Sequence, residues 1–156
     1  MVLATAGVKP LSKEHGPKTP EKEEMTKIPY RKAVGALIWT FTMTRPDISS
    51  VVRTVAKFCE SSGMANWKAV VKILQYVRRT PEREISYGGD RNARTVVRAF
   101  VDSDHATCLH TRRSTSGGAV LFCGGAISWF SRAQETTAEG TSEAEYVAMS
   151  EIVKEV

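Results

Sequence analysis

The stretch from Val97 to Asp104, VRAFVDSD, decides the fold of the second half of this chain. Its smaller apolar residues, Val97, Ala99 and Val101, occupy every second position. Successive side chains on a strand point to opposite faces, so this period of two predicts a half-buried β-strand. The predicted strand ends at the acidic residue Asp104. The segments on either side of the strand predict further elements.

Downstream of this strand, two apolar runs at residues 119–123 and 126–130 are separated by Gly124–Gly125. A glycine pair between two such runs predicts a β-hairpin. A last helix is predicted to follow, capped by Thr141 or Ser142 through a side-chain oxygen. Its expected apolar face consists of Tyr146, Met149, Val153 and Val156.

Upstream of the strand, apolar residues recur three and four positions apart, which predicts three short amphipathic helices. Arg45–Pro46 should end the first helix, because the residue before proline avoids helical geometry. Asp47 and Asn66 are expected to cap the second and third helices. The expected inward-facing residues are Val34, Leu37, Ile38 and Phe41 in the first helix, Val51, Val52, Val55, Phe58 and Cys59 in the second, and Trp67, Val70, Val71, Leu74 and Val77 in the third. Helices this short need one another for stability, so they should pack together.

The composition is that of an ordinary globular protein, with 42% hydrophobic and 25% charged residues. Residues 1–27 combine Lys, Glu, Pro and Gly with little apolar surface, which predicts a flexible linker. The net charge of +5 favours a polyanionic partner such as nucleic acid. Neither a membrane-spanning run nor a secretory signal is present, and the three cysteines are widely spaced. We therefore expect a cytoplasmic or nuclear chain that does not contact a membrane.

Four acidic residues are the first candidates for chemistry. Asp102 and Asp104 point to the same face at the end of the strand, and carboxylates there suit Mg²⁺ or Mn²⁺. Glu143 and Glu145 lie in the first turn of the last helix, where the helix dipole favours acids without any function. A D-x-D sequence is likewise common in a polar turn. The residues alone leave open whether the strand and helix acids share a metal or are only structural.

The segment Arg112, Arg113, Ser114, Thr115 and Ser116 is a second candidate site. Paired arginines followed by hydroxyl groups can bind phosphates through several hydrogen bonds. The same composition is typical of a solvated turn, so both interpretations remain open.

Taken together, these motifs resemble the Pol polyproteins of copia-type LTR retrotransposons, from Tyr30 to the last residue. The resemblance rests on PYRKAVGALIW (29–39), TRPDIS (44–49), NWKAVVKILQYVRRT (66–80), VDSDHA (101–106), RRSTSGGAVLFCGGAISWFS (112–131) and SEAEYVAMSE (142–151). It implies a mixed α/β chain: a small helical cluster followed by an incomplete ribonuclease H-like fold, with a three-stranded antiparallel start of a mixed sheet and a helix.

The resemblance also implies a domain organisation and an activity. Residues 28–85 would be the thumb or connection region of a reverse transcriptase, and residues 95–156 the N-terminal part of a ribonuclease H domain. Such a domain hydrolyses the RNA strand of RNA·DNA hybrids with two Mg²⁺ (or Mn²⁺) ions about 4 Å apart. By this resemblance Asp102 and Glu145 are the catalytic metal ligands, with Glu143 and Asp104 in reserve.

Two departures from the family pattern affect these expectations. His105 and Thr107 stand where the family usually has Trp and Gly, and the family's third carboxylate is expected beyond Val156. The chain by itself is therefore expected to be inactive, although its full-length parent would act on RNA·DNA hybrids inside a virus-like particle. Its expected partners are nucleic acid and the rest of the Pol polyprotein.

The alternative is a non-catalytic module derived from a transposon, which binds nucleic acid through a basic surface or serves in assembly. Its phosphate contacts would be Arg78, Arg79, Arg91, Arg94, Arg112 and Arg113. Binding of that kind weakens steeply with salt.

Overall fold

A computed structural model describes residues 24–87, 96–106 and 111–156. They divide after Glu84 into two compact units, here called the helical unit (residues 24–84) and the sheet unit (residues 85–156). Helices come first, then three antiparallel strands and a final helix. The predicted mixed α/β class is thus confirmed, and the order is consistent with a partial ribonuclease H-like fold. In the described residues, no helix is both long and apolar enough to cross a membrane.

The helical unit consists of α1 (Tyr30–Met43), a short 3-10 helix (Pro46–Ile48), α2 (Ser49–Ala56) and α3 (Met64–Arg79). Their inner faces form one core of buried apolar side chains: Met25, Tyr30, Val34, Leu37, Phe41, Ile48, Val51, Val52, Val55, Ala69, Val70 and Ile73. The three predicted helices are present, and each contributes to this shared core.

Several details of the helical unit differ from the sequence-based expectation. Ile38, expected to face inward, is exposed, and Phe58 and Cys59 lie beyond the end of α2. Asp47 lies in the 3-10 helix and makes no capping hydrogen bond, because its carboxylate is bound by Arg45 instead. Asn66 is inside α3, where its Oδ1 accepts a hydrogen bond from the Gly63 N–H at 2.9 Å. The buried face of α3 is Asn66, Ala69, Val70 and Ile73, so the predicted stripe was rotated and Leu74 is exposed.

The sheet unit contains β1 (Arg98–Asp104), β2 (Thr115–Phe122), β3 (Gly125–Ala133) and α4 (Thr141–Val153). The strands are antiparallel in the order β1-β2-β3, and α4 packs on β1 and β2. The predicted strand, hairpin and helix are therefore confirmed as elements. A small apolar cluster joins them: Val120, Phe130 and Ile152, with Val101 packed against it.

The hairpin turn lies one residue earlier than predicted. Its central residues are Cys123 and Gly124, with φ of +48° and +82°. Two left-handed residues in a row are what a two-residue hairpin turn of type I′ requires. Gly125 already belongs to β3, and a Cβ there would lie 2.2 Å from the Tyr87 ring. The absence of a side chain at Gly125 leaves room for this aromatic ring.

The predicted apolar face of α4 is wrong. Tyr146, Met149 and Val153 are 75%, 54% and 73% exposed, and the buried residues are instead Ala144, Ala148 and Ile152. The helix lies close to the sheet: a Cβ added at Gly118 would come within 2.7 Å of the Ile152 side chain. In the first two turns of α4, the residues that face the sheet are Ala144 and Ala148. The larger apolar residues of the helix start point outward.

Candidate functional site

The acids of β1 lie on the sheet face that α4 does not cover. Val101 packs against the cluster containing Ile152, so it points towards α4. Side chains alternate along a strand, which places Asp102 and Asp104 on the opposite face, and both are exposed. The Oδ1 atom of Asp102 accepts a hydrogen bond from the Ser103 N–H at 2.9 Å. Asp102 is thus accessible to a ligand at the end of the strand.

The two glutamates at the start of α4 differ in their surroundings. Glu143 is exposed, and its Oε2 accepts a hydrogen bond from the Glu139 N–H at 2.7 Å. This contact ties the helix start to the preceding loop and gives Glu143 a structural role. Glu145 is half-buried and directly follows the fully buried Ala144. Of the two, Glu145 is the less exposed.

These positions restrict how a metal ion could be shared. Asp102 leaves β1 on one face of the sheet, and α4, which carries Glu145, covers the other, so the two carboxylates start from opposite sides of the sheet. Within residues 24–87, 96–106 and 111–156, no group of three or more His, Cys, Asp or Glu residues is arranged to hold a metal. A pair of carboxylates completed by water is nevertheless a donor set that suits Mg²⁺. Metal binding by Asp102 and Glu145 therefore stays a prediction.

The segment before β2 separates into exposed and buried groups. Arg112 and Arg113 are exposed, and Arg112 has a left-handed φ of +53°. Ser114 and Ser116 are fully buried. The Ser114 Oγ accepts a hydrogen bond from the Ala106 N–H, and the Ser116 Oγ accepts one from Gln134. Arg112 and Arg113 are thus presented to a solvent-borne phosphate, and Thr115 is half-buried at the start of β2. Arg91, Arg94 and Thr107 lie outside the described residues.

Gln134 is a buried polar residue that the sequence patterns did not indicate. It lies in the connection between β3 and α4, and its side chain is fully buried. Its amide contacts β2 and the first turn of α4. A single Gln in a polar connection carries no periodic signal, so only the structure identifies it.

A second unpredicted cluster lies in the helical unit around Arg45, which is 6% exposed. Its guanidinium donates to both carboxylate oxygens of Asp47, at 2.9 and 2.8 Å, and to the Thr80 carbonyl oxygen at 3.0 Å. The Tyr76 hydroxyl donates to Asp47 at 2.9 Å. Burial alone would raise the pKa of Asp47, but the bonds from Arg45 and Tyr76 outweigh it and hold that pKa below its ordinary value. This cluster joins the end of α1 to the end of α3.

Comparison with known proteins shows that the sequence of this chain is similar to proteins of transposons. The chain is 41% identical over 152 residues to the retrovirus-related Pol polyprotein of transposon TNT 1-94 from Nicotiana tabacum, covering 97% of this chain and 11% of that protein. It is 29% identical over 147 residues to the Pol polyprotein of transposon RE2 from Arabidopsis thaliana, covering 94% of this chain and 10% of that protein. The chain belongs to the transposon Pol polyproteins.

Membership in this family agrees with the copia-type resemblance of the sequence motifs. The chain spans about a tenth of the length of these two Pol polyproteins. A relative of similar size, the secreted RxLR effector protein 161 of Plasmopara viticola, is 34% identical over 131 residues, covering 84% of this chain and 91% of that protein. No protein-family model matches the chain, and no solved structure matches it significantly.

Proposed function

We propose that the sheet unit of this Pol chain is part of a ribonuclease H-type nuclease, in which Asp102 and Glu145 bind Mg²⁺ or Mn²⁺. The substrate would be the RNA strand of an RNA·DNA hybrid, and the helical unit would be the thumb or connection region of the reverse transcriptase. One observation carries this proposal: a strand ending in acids is followed by an antiparallel hairpin and by a helix with acids in its first turn, packed on β1 and β2.

The residues have distinct roles in this proposal. Metal ions in such a site activate a water molecule and stabilise the leaving oxygen. Asp102, exposed near the end of β1, and Glu145, half-buried in the first turns of α4, would supply the carboxylate ligands. Glu143 would fix the start of α4 through its bond with the Glu139 N–H. Exposed Arg112 and Arg113 would contact the phosphate backbone of the hybrid.

Mn²⁺ titration followed by electron paramagnetic resonance tests the metal site. Asp102→Asn and Glu145→Gln should each weaken Mn²⁺ binding by about tenfold or more, because each removes one ionised ligand. Glu143→Gln is the matched control, since it makes the same change two residues away and should leave the affinity unchanged. Equal losses in Glu143→Gln and Glu145→Gln, or no loss in Asp102→Asn, would contradict the assignment.

The charge distribution favours a second function, nucleic-acid binding by the helical unit. Residues 1–84 contain 15 Lys or Arg and 8 Asp or Glu, whereas residues 85–156 contain 7 and 9. The positive charge of the chain is thus concentrated in its first half. On α3, Lys68, Lys72 and Arg79 are exposed and lie at helical spacing on one side. We propose that this α3 basic stripe (Lys68, Lys72 and Arg79) contacts nucleic-acid phosphates.

Fluorescence anisotropy with a labelled RNA·DNA hybrid over a range of salt concentrations tests the stripe. Each phosphate contact removed should reduce the slope of log K against log salt by about one. Changing the three stripe residues to Gln should therefore reduce the slope by about three. The pair Arg112→Gln and Arg113→Gln serves as the comparison. If that pair reduces the slope and the stripe variant does not, the contact surface lies in the sheet unit.

A further inference from the structure

Three apolar side chains form a continuous patch on the outer face of α4, here called the α4 outer stripe (Tyr146, Met149 and Val153). Each is more than half exposed in the part of the chain that the structure describes. Their spacing of three and then four residues puts them on one side of the helix. Exposed Val156 continues the same repeat just beyond the helix end. A repeat of this kind is typical of a helix that packs against a second helix.

The sheet does not satisfy this stripe, because α4 packs on β1 and β2 through its alanine side. Single exposed apolar residues are common on protein surfaces and need no explanation. Three of them at helical spacing form one apolar patch, which marks an interaction surface.

Two opposite charges lie along one flank of the stripe. Glu143 and Lys154 are both exposed and are eleven positions apart, which is three turns of an α-helix. Lys154 follows the last residue of α4 and keeps helical dihedral angles, so both side chains leave the same side of the helix. Glu155, next to Lys154, is ion-paired with Arg132 of β3, so its charge is already balanced within the chain.

We propose that the α4 outer stripe binds the same stripe of a second copy of this chain, with the two helices antiparallel about a two-fold axis. In that arrangement the same flank of each helix faces the other, so Glu143 of each copy lies opposite Lys154 of the second copy. Symmetry thus forms two ion pairs. Tyr146 then lies between Met149 and Val153 of the second copy, as a knob between residues of the facing helix.

The charge pattern favours this occupant over a parallel pair of helices. Parallel helices would bring the acidic starts of both copies together, whereas antiparallel helices place each acidic start beside a lysine and align their dipoles favourably. Stable protein interfaces bury about 1,200 Å² or more, and one pair of short helices supplies only part of that area. We therefore expect a weak dimer, which forms at micromolar concentration and does not depend on metal binding.

Sedimentation equilibrium of the full chain, from low to high micromolar concentration, tests the proposal. The unchanged chain should pass from monomer to dimer over this range. Met149→Lys and Val153→Lys should each leave it monomeric, because a charge would be buried in the apolar contact. Trp39→Lys is the matched control, since it makes the same change at an exposed apolar residue of α1 and should leave the dimer intact.

Charge reversal at the flank tests the antiparallel arrangement. Lys154→Glu places two acids opposite one another in each dimer, and Glu143→Lys places two lysines opposite one another. Each variant alone should weaken the dimer by about tenfold, while an equimolar mixture of the two should restore it, because both contacts are again between opposite charges. Lys154→Gln should lie between the unchanged chain and Lys154→Glu.

Glu143→Lys also removes the hydrogen bond from the Glu139 N–H, so its circular dichroism spectrum must match that of the unchanged chain. If it does not, the order of Lys154→Gln and Lys154→Glu decides the charge contact.

Three results would overturn the proposal. A chain that stays monomeric at every concentration leaves the stripe to a different partner. A dimer that survives Val153→Lys, or that Trp39→Lys disrupts equally, uses another surface. A mixture of folded charge variants that stays monomeric excludes the antiparallel pair.

Discussion

The helical unit and the sheet unit bury very different kinds of side chain. The helical core is a single cluster of mostly large apolar residues contributed by every helix. Among the described residues of the sheet unit, the buried cluster consists of Val120, Phe130 and Ile152. Around them it buries alanines and the hydrogen-bonded polar residues Ser114, Ser116 and Gln134. Apolar packing dominates one unit, whereas close fit and hydrogen bonds dominate the other, which also carries the candidate metal ligands.

The largest effect should come from breaking the one buried ion pair described in the helical unit. Arg45→Met leaves the Asp47 carboxylate, whose side chain is 16% exposed, without its charged partner. We expect the free energy of unfolding to fall by about 3 to 5 kcal/mol. Urea denaturation of the variant measures this loss.

Arg79→Met is the control for Arg45, since it makes the same change at an exposed site of α3 and should alter stability by less than about 0.5 kcal/mol. The double variant Arg45→Met with Asp47→Asn should recover part of the loss, because no unpaired charge remains. Equal effects of Arg45→Met and Arg79→Met would show that the pair does not stabilise the unit.

The second largest effect should come from two adjacent glycines, which test how closely α4 packs on the sheet. A Cβ at Gly118 would lie 2.6 Å from the Phe130 ring, whereas one at Gly117 would meet only the Phe130 carbonyl oxygen, at 3.9 Å. Gly118→Ala should therefore destabilise the sheet unit by about 1 to 3 kcal/mol through overpacking. Gly117→Ala should be far milder, as thermal melting of the two variants would measure. If Gly117→Ala were more destabilising than Gly118→Ala, α4 would have to cover the opposite face of the sheet.

Acidification should weaken the helical unit by a smaller amount. The pKa of Asp47 lies below its ordinary value of 3.8 because of its bonds from Arg45 and Tyr76. The stability it contributes is present above the ordinary value and is lost as the pH falls through the lowered pKa. Because a protonated Asp47 can still form hydrogen bonds, this loss should be smaller than that in Arg45→Met. Urea denaturation between pH 6 and pH 2 should show this acid loss in the unchanged chain and a reduced one in Arg45→Met.

The smallest effect concerns the outward face of α4. Met149→Gln should change the free energy of unfolding by less than about 0.5 kcal/mol, because the residue is 54% exposed. Ala148→Leu, one residue earlier and fully buried, should cost about 1 to 3 kcal/mol. Thermal melting of the two variants measures the difference. If Met149→Gln were the more destabilising change, the buried face of α4 would be the one that carries Met149.

Sequence reasoning succeeded where large apolar residues face a core. Val34, Leu37 and Phe41 are buried as their spacing predicts, whereas Ile38 of the same predicted stripe is 41% exposed. It failed for α4, because hydrophobic spacing gives weight to Tyr146 and Met149 and little to Ala144 and Ala148. Small residues become the buried ones only when a neighbouring sheet comes close, and that distance is a property of the tertiary fold.

The candidate site was likewise predictable only in part. The acid-rich positions at a strand end and a helix start follow from local patterns, and so does the order of the elements. That Asp102 lies opposite Val101 follows from their alternation along the strand, but which of the two faces α4 covers is decided by the tertiary packing of Val101 with Ile152. Gln134 acts through contacts 10 and 18 residues away, so the sequence carries no nearby sign of it.

The strand that carries Asp102 and Asp104 is also an edge of the sheet, since the described residues pair it with β2 alone. Charged side chains on an edge strand discourage another chain from adding to it, which protects against aggregation. A variant that neutralises both aspartates should thus become prone to intermolecular strand pairing. The two acids therefore protect this edge whether or not they bind a metal ion.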